Sequence, residues 1–235
     1  MANRICRSCI DCQVGNCSVG TKKYPGFCVS QSLDPEKREA IKTIYAQEQN
    51  QRIMQVSAEV EHDFYCQLTR VEEIVVWALK LGVKKVGIAT CVGLLKESNT
   101  FAKILRKQGF EVYGVGCKVG EIPKTEVGIA ERCMEVGANM CNPIMQAKLL
   151  EEAGTEINIV VGLCVGHDSL FYKYSKAPTT TLITKDRVMM HNPAAALYGA
   201  EGYYSHKLAQ IKKKVEEEEA RHRPQESDPD EPAGK

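Results

Sequence analysis

The chain lacks the run of about 18 apolar residues that a membrane-spanning helix requires, so no transmembrane segment and no membrane partner are expected. It lacks a basic surplus: 31 Lys and Arg stand against 30 Asp and Glu. A protein that neutralises phosphates carries a positive excess, so nucleic acid is not an expected partner. Met1-Ala2-Asn3-Arg4 leads into cysteines with no apolar h-region. A secretory signal is therefore not expected, and the expected location is the cytoplasm. A Gly-x-Gly-x-x-Gly fingerprint is missing, so an α/β fold alone does not argue for a dinucleotide. There is no internal repeat.

What is plentiful is cysteine, with 11 in 235 residues. That density is below the ~8–10% of a small disulfide scaffold, and the number is odd. In a compartment that keeps thiols reduced, gathered cysteines point to metal or redox chemistry. With 43% hydrophobic residues the chain can also build a core, as one α/β domain with appendages or as two small domains.

Residues 1–33 hold Cys6, Cys9, Cys12, Cys17 and Cys28 among sparse apolar residues. Such a segment cannot bury enough surface to fold alone and needs a staple. Cys6-x2-Cys9-x2-Cys12-x4-Cys17 keeps successive sulfurs close on a turn-rich backbone. The same C-x2-C-x2-C run wraps a four-iron cluster in bacterial-type ferredoxins, although here Ser18 rather than Pro follows the fourth cysteine. A mononuclear zinc site using four of the five cysteines is the alternative. Free or paired thiols are the bland one.

Asp34 and Pro35 cap a helix at the start of a helical linker region, 34–65, within which 49–65 reads as short helix or loop. Residues 66–208 then alternate in period. Helices are expected over 67–81, 94–108, about 124–136, 143–153 and 168–175, and strands over 83–90, 110–115, 157–161 and 179–183. This is the pattern of a Rossmann-like α/β domain with an open, mostly parallel sheet. Residues 209–235 are rich in charge and Pro, and a disordered tail is expected there.

Cys91, Cys117 and Cys164 each follow an expected strand, and Cys141 and Cys66 each precede a helix. Open parallel sheets bind ligands outside the carboxyl ends of their strands, and helix N-termini favour thiolates. Cys91, Cys117 and Cys164 are therefore expected at one centre, with Cys141 or Cys66 as a further ligand. Buried small hydrophobes are the plain alternative for any single strand-end cysteine, and for Cys133 that plain reading is preferred. Cys141 and His167 are the catalytic candidates. His167 has three possible roles: ligand, proton donor, or a helix-start His bonded to backbone. Lys118 and Lys185 near the same edge would suit an anion. Gly162-x-Cys164-x-Gly166, followed by Asp186 and His191, also has the order of a nucleophile elbow, but that reading leaves the other edge thiols without a purpose.

Arg70-Val71-Glu72-Glu73-Ile74, Gly87-Ile88-Ala89-Thr90-Cys91-Val92-Gly93-Leu94, Gly116-Cys117-Lys118-Val119-Gly120, Met140-Cys141-Asn142-Pro143-Ile144 and Gly162-Leu163-Cys164-Val165-Gly166-His167-Asp168-Ser169-Leu170-Phe171 stand in this chain. Together they resemble a family of uncharacterised prokaryotic proteins described as predicted metal-binding, domain of unknown function 1847. The resemblance runs from about Arg4 to Lys207. It implies metal binding through cysteines and a setting common among anaerobes, and it implies no reaction or ligand set.

The expected function is thus metal binding, through one or two iron–sulfur clusters of the 4Fe-4S type. Electrons would enter through Cys6, Cys9, Cys12 and Cys17, and redox or sulfur chemistry would occur at the cysteine-lined edge. The expected partners are an electron-donor protein and a small-molecule substrate. A non-enzymatic zinc- or iron-binding module and a metal-free persulfide-type cysteine enzyme are the alternatives, so enzymatic activity stays open.

Overall fold

The structure, a computed structural model, describes residues 7–222. Cys6 and residues 223–235 lie outside the described residues. The chain divides into two compact units at Gly82/Val83. The helix expected to open the α/β domain therefore falls in the first unit.

In that unit, short 3₁₀ turns at Cys9–Asp11, Asn16–Ser18 and Val29–Gln31 precede three helices: α1 (Pro35–Tyr45), α2 (Glu48–Asp63) and α3 (Arg70–Leu81). Asp34 caps α1 by accepting from the Glu36 N–H at 3.0 Å, with Pro35 in the first helical position. The segment expected as short helix or loop is the 16-residue α2. Its apolar stripe is narrow, with Val56 and Val60 buried one turn apart. That stripe packs against α3, where Ile74, Val75 and Ala78 are buried. Lys80 ties the pair together through Glu59 at 3.0 Å and Asp63 at 2.7 Å. Thr69 and Glu72 form a capping box at the start of α3, and Gly82 ends it in the left-handed region, φ 79°.

The second unit is an α/β domain with an all-parallel four-stranded sheet. Its strands are β1 (Lys85–Thr90), β2 (Glu111–Gly116), β3 (Ile157–Val161) and β4 (Thr179–Ile183), in the order β2-β1-β3-β4. The crossovers carry α4 (Leu95–Lys107), α5 (Pro143–Glu152) and α6 (His167–Tyr174). From β1 the chain runs outward to β2 and then crosses back to β3 on the other side of β1. The switch point of the sheet therefore lies between β1 and β3, where α/β sheets open a crevice at their carboxyl ends. Register places Thr90 beside both Gly116 and Val161, so β1, β2 and β3 end level. β3 is buried along its whole length, as expected for an inner strand of a parallel sheet.

Two elements differ from expectation. Residues 124–136 hold two 3₁₀ segments, Lys124–Val127 and Glu131–Val136, instead of an α-helix. Gly128 and Gly137, both at positive φ, end them before a longer helix can propagate. After β4 come two short helices, α7 (Ala194–Tyr198) and α8 (Ser205–Ala209), and the start of the expected tail is also helical, as α9 (Ile211–Arg221). Along α9, Lys212–Glu216 and Lys213–Glu217 pair one turn apart, and charge-rich composition alone does not reveal such pairs. Among the described residues no helix is long and apolar enough to cross a membrane.

Candidate functional site

Level strand ends put the following residues on one edge. Cys91 follows β1 directly, and its N–H is bonded to the Val161 carbonyl at 3.1 Å. Cys117 follows β2. The Cys117 carbonyl accepts from the Asn142 N–H at 2.7 Å, which draws the Cys141–Asn142 segment beside the end of β2. Asn142 then caps α5 by accepting from the Met145 N–H at 3.1 Å, with Pro143 next. After β3 the chain turns at Gly162, φ 61°, where a Cβ would run into Leu94. Only glycine fits that turn, and the turn delivers Cys164 to the same edge.

Cys91, Cys117 and Cys141 form a row. The Sγ atoms of Cys117 and Cys141 lie 3.9 Å apart, and Cys117 is also hydrogen bonded to Cys91. The Val92 N–H points at Cys117 Sγ from 3.4 Å. Cys91 and Cys117 are 8% and 3% exposed and belong to the apolar cluster with Ala147, Leu150, Leu163 and Phe171.

Contact with Cys117 pulls the Cys141 thiol down to about 4, helped by a hydrogen bond from His167 and by nearby Lys118. Cys117 likewise pulls Cys91 down to about 5, with the Gly93 N–H and Lys185 adding to the effect. Cys117, between Cys141 and Cys91 and desolvated, is pushed far up and keeps its proton. Within the row the outer two sulfurs thus favour the thiolate and the central one the thiol. His167, at the start of α6, is raised by its bond to Cys141 and favours the imidazolium.

Cys164 has a different neighbour. Arg187 Nη2 donates to its Sγ at 3.1 Å. The order expected of a nucleophile elbow is not realised. The Asp186 carboxylate accepts from the N–H groups of Val188 and Met189, and the Asp186 N–H donates to His191 Nδ1. Those two residues shape their own loop, in which Met190 and His191 both sit at positive φ. Cys66 lies in the first unit between α2 and α3, exposed, at φ 57°. Cys133 is half-buried in a 3₁₀ segment.

In the first unit, Cys9, Cys12, Cys17 and Cys28 line one cavity of about 100 Å³, together with Tyr24 and Phe27. The segment is held by polar ties. Asn16, 2% exposed, accepts from the Lys22 N–H at 2.8 Å and donates to the Lys22 carbonyl. The Arg7 guanidinium stacks over Phe27. The N–H groups of Gly15 and Val14 point at Cys12 and lower its pKa. Among the described residues, no group of three or more His, Cys, Asp and Glu side chains is arranged around a single metal ion. At the sheet edge the thiols form a row rather than a cage.

Two residues near the edge were not legible in the pattern. Gln146, fully buried, donates from Nε2 to the carbonyls of Thr90 at 3.1 Å and Val115 at 2.7 Å. It thus joins α5 to the strand ends that precede Cys91 and Cys117, while its Oε1 has no partner. Arg187 reaches Cys164 only because the loop after β4 folds back, and no local spacing records that.

A family model described as "Protein of unknown function (DUF1847)" matches residues 28–182. An uncharacterised protein of Methanocaldococcus jannaschii is 50% identical over 168 residues, covering 72% of this chain and 86% of its own. Two solved structures of Dph2 from Pyrococcus horikoshii, one of them with a 4Fe-4S cluster, align at 17% identity and a TM-score of 0.32. That alignment covers 64% of this chain, which spans 40% of theirs, and a likeness so low carries no function across. The family model and the archaeal relative place the chain in the DUF1847 family of proteins of unknown function.

Proposed function

We propose that the carboxyl edge of the sheet is an iron–sulfur site with redox or sulfur chemistry, held by Cys91, Cys117 and Cys141. The observation that carries the reading is the row itself. Three thiols from three separate segments meet at the switch-point edge, with Cys117 in contact with both neighbours. A row spreads its outer sulfurs wider than a single ion needs, and such a spread suits a multi-iron core. The donor set is also right: cysteine sulfur, a backbone N–H aimed at one sulfur, and cations around the rest. When bound by three protein thiolates, such a core carries electrons or offers one iron as a Lewis acid. His167 is placed to hold or release a proton at Cys141.

In this reading Cys9, Cys12, Cys17 and Cys28, with Cys6, hold a second centre through which electrons enter. An electron-donor protein and a small-molecule substrate are the partners it requires. One observation favours zinc instead. Two sulfurs on one tetrahedral zinc, bonded at about 2.3 Å, lie about 3.8 Å apart, close to the 3.9 Å between Cys117 and Cys141.

Iron, zinc and sulfide analysis of anaerobically purified protein decides between the two. Iron with matching sulfide, and a visible absorbance that Cys117→Ser reduces and Cys9→Ser reduces separately, is the expected result. Zinc without sulfide establishes the second reading, and protein free of both metals overturns both.

A further inference from the structure

Cations from three segments stand around the thiol row. Lys185 is hydrogen bonded to Cys91, Lys118 acts on Cys141, and Arg187 binds Cys164 and also feels Cys91 and Cys141. The Lys185 ammonium lies 3.8 Å from where a Cβ on Gly93 would stand, and Cys91 Sγ lies 3.9 Å from the same point. It therefore sits in the crevice at the end of β1. His167 has Asp168 beside it as a counter-charge. Asp186 turns its carboxylate into its own loop.

Three permanent cations thus gather at one edge of the sheet, two of them in direct contact with a thiol. Arg187 also has donors to spare. One nitrogen reaches Cys164, while the side chain stays exposed on its loop and the rest of its planar fork is open to a two-oxygen partner.

We infer that this edge is an oxyanion-binding site, taking a small substrate that carries a carboxylate or phosphate group, which Arg187 and Lys185 receive beside the thiols. The inference rests on the same site as the function proposed above and names its substrate class. It depends on the cations and not on which metal the thiols hold. Arg187 sets the orientation of the anion through its fork, and Lys185 supplies a point charge deeper in the crevice.

Alkylation of Cys164 tests this, because the reagent can carry the charge. Iodoacetate bears a carboxylate and iodoacetamide is its neutral counterpart. The reactivity of the thiol enters both rates, so their ratio isolates the pull on the anion. In anaerobically purified full-length protein, mass spectrometry should show the iodoacetate-to-iodoacetamide ratio at Cys164 well above that of the urea-unfolded chain. Arg187→Gln should lower the ratio about fivefold and Lys185→Gln by less, as removal of one charge a few Å away implies. Both side chains sit in a surface loop, so neither change removes core packing. Inorganic phosphate and acetate are the competitors. Protection by phosphate at the lower concentration identifies a phosphate-type substrate, and protection by acetate a carboxylate.

A ratio equal to that of the unfolded chain and insensitive to both variants overturns the inference. Metal and sulfide content, measured on the same samples, separates the two readings. A raised ratio in metal-free protein refutes only the iron–sulfur site, and a flat ratio in iron-loaded protein refutes only the anion site.

Discussion

Two regions of this molecule are rich in cysteine, and they use it in opposite ways. At the sheet edge the fold comes first. Cys91 and Cys117 are continuations of core strands, packed among Leu150, Leu163 and Phe171, and their positions follow from register and burial. In the N-terminal segment the chain has little to bury. Ile10 is 94% exposed and Val19 67%, while among its described residues the one that is almost fully buried is the polar Asn16. Cys9 and Cys17 are exposed and converge only around a cavity. One region places its thiols by packing, whereas in the function proposed above the other relies on a centre bound to its thiols to order the backbone. On that reading the two cysteine sites differ in robustness, one resting on the core and one resting on what it binds.

The largest expected effect tests that contrast directly. Stripping metal with a chelator should make residues 9–33 protease-sensitive while the unit from Val83 onward stays resistant. Metal binding in a segment without a core is itself folding free energy, on the order of 10 kcal/mol for structural sites. Cys9→Ser should have the same local consequence. Limited proteolysis with mass mapping checks both. Equal protection of the segment with and without metal would show that Asn16 and the Arg7–Phe27 stack suffice alone.

Next in size is Gln146→Leu. Leucine keeps the volume but leaves the Thr90 and Val115 carbonyls without their donor. A buried acceptor stripped of its partner costs about 1–3 kcal/mol. Removing the orphaned Oε1 offsets part of that for the two together. A net loss of about 2 kcal/mol lowers the melting temperature by roughly 5 °C for a unit of this size. The absorbance of a sheet-edge centre should also shift, because the strand ends carrying Cys91 and Cys117 lose their tie. An unchanged melting curve would mean that the glutamine fills space and does not position.

Gln146 also marks where the sequence stops being readable. The four strands and the helices between them follow from period and glycine placement, and the strands were expected within two residues of where they lie. The helices α4, α5 and α6 likewise fall within a residue of their expected ends. Such signals are local. Cys91, Cys117 and Cys141 could be listed as edge residues because a strand end and a helix start are also local features. Their order along the edge could not be, since it depends on β3 lying beside β1 and on Asn142 pairing with the Cys117 carbonyl. Arg187 and Gln146 act through contacts far apart in sequence, and neither sits in a motif. The reading of α2 stops at short helix or loop for another reason: its buried stripe is only Val56 and Val60 wide, too narrow to stand out in a polar run.

A smaller effect on stability is expected at Cys117. In Cys117→Ser the hydroxyl replaces a thiol that is 3% exposed and bonded to both neighbours. Much of that hydrogen bonding can be kept, so the cost is about 1 kcal/mol. The contrast with Cys9→Ser is the informative part. Cys117→Ser should leave proteolysis patterns intact everywhere while removing the metal of the sheet edge. Loss of folded structure in unit two would show that the edge, too, depends on its centre.

The smallest effect lies in the first unit, outside both cysteine clusters, and asks whether α2 and α3 hold together without help from the N-terminal segment. Hydrogen bonding from Lys80 holds the Asp63 carboxyl below its ordinary 3.8, and the same contact raises Lys80 above 10.5. The depressed carboxylate contributes stability that is present above its unfolded pKa and lost as pH falls through the folded one. The raised ammonium contributes stability that is present below its unfolded pKa and lost as pH rises through the folded one. The helix pair should therefore be steady across the neutral range and loosen at both extremes. Both groups face solvent, so screening keeps the amplitude small. Trp77, the one tryptophan in the chain, lies on α3 and reports the packing by its fluorescence. Lys80→Gln should flatten both flanks of the pH profile while leaving its centre unchanged. If the emission of Trp77 shifts at neutral pH in that variant, the pair depends on this ionic tie more than on Val56, Val60, Ile74 and Ala78.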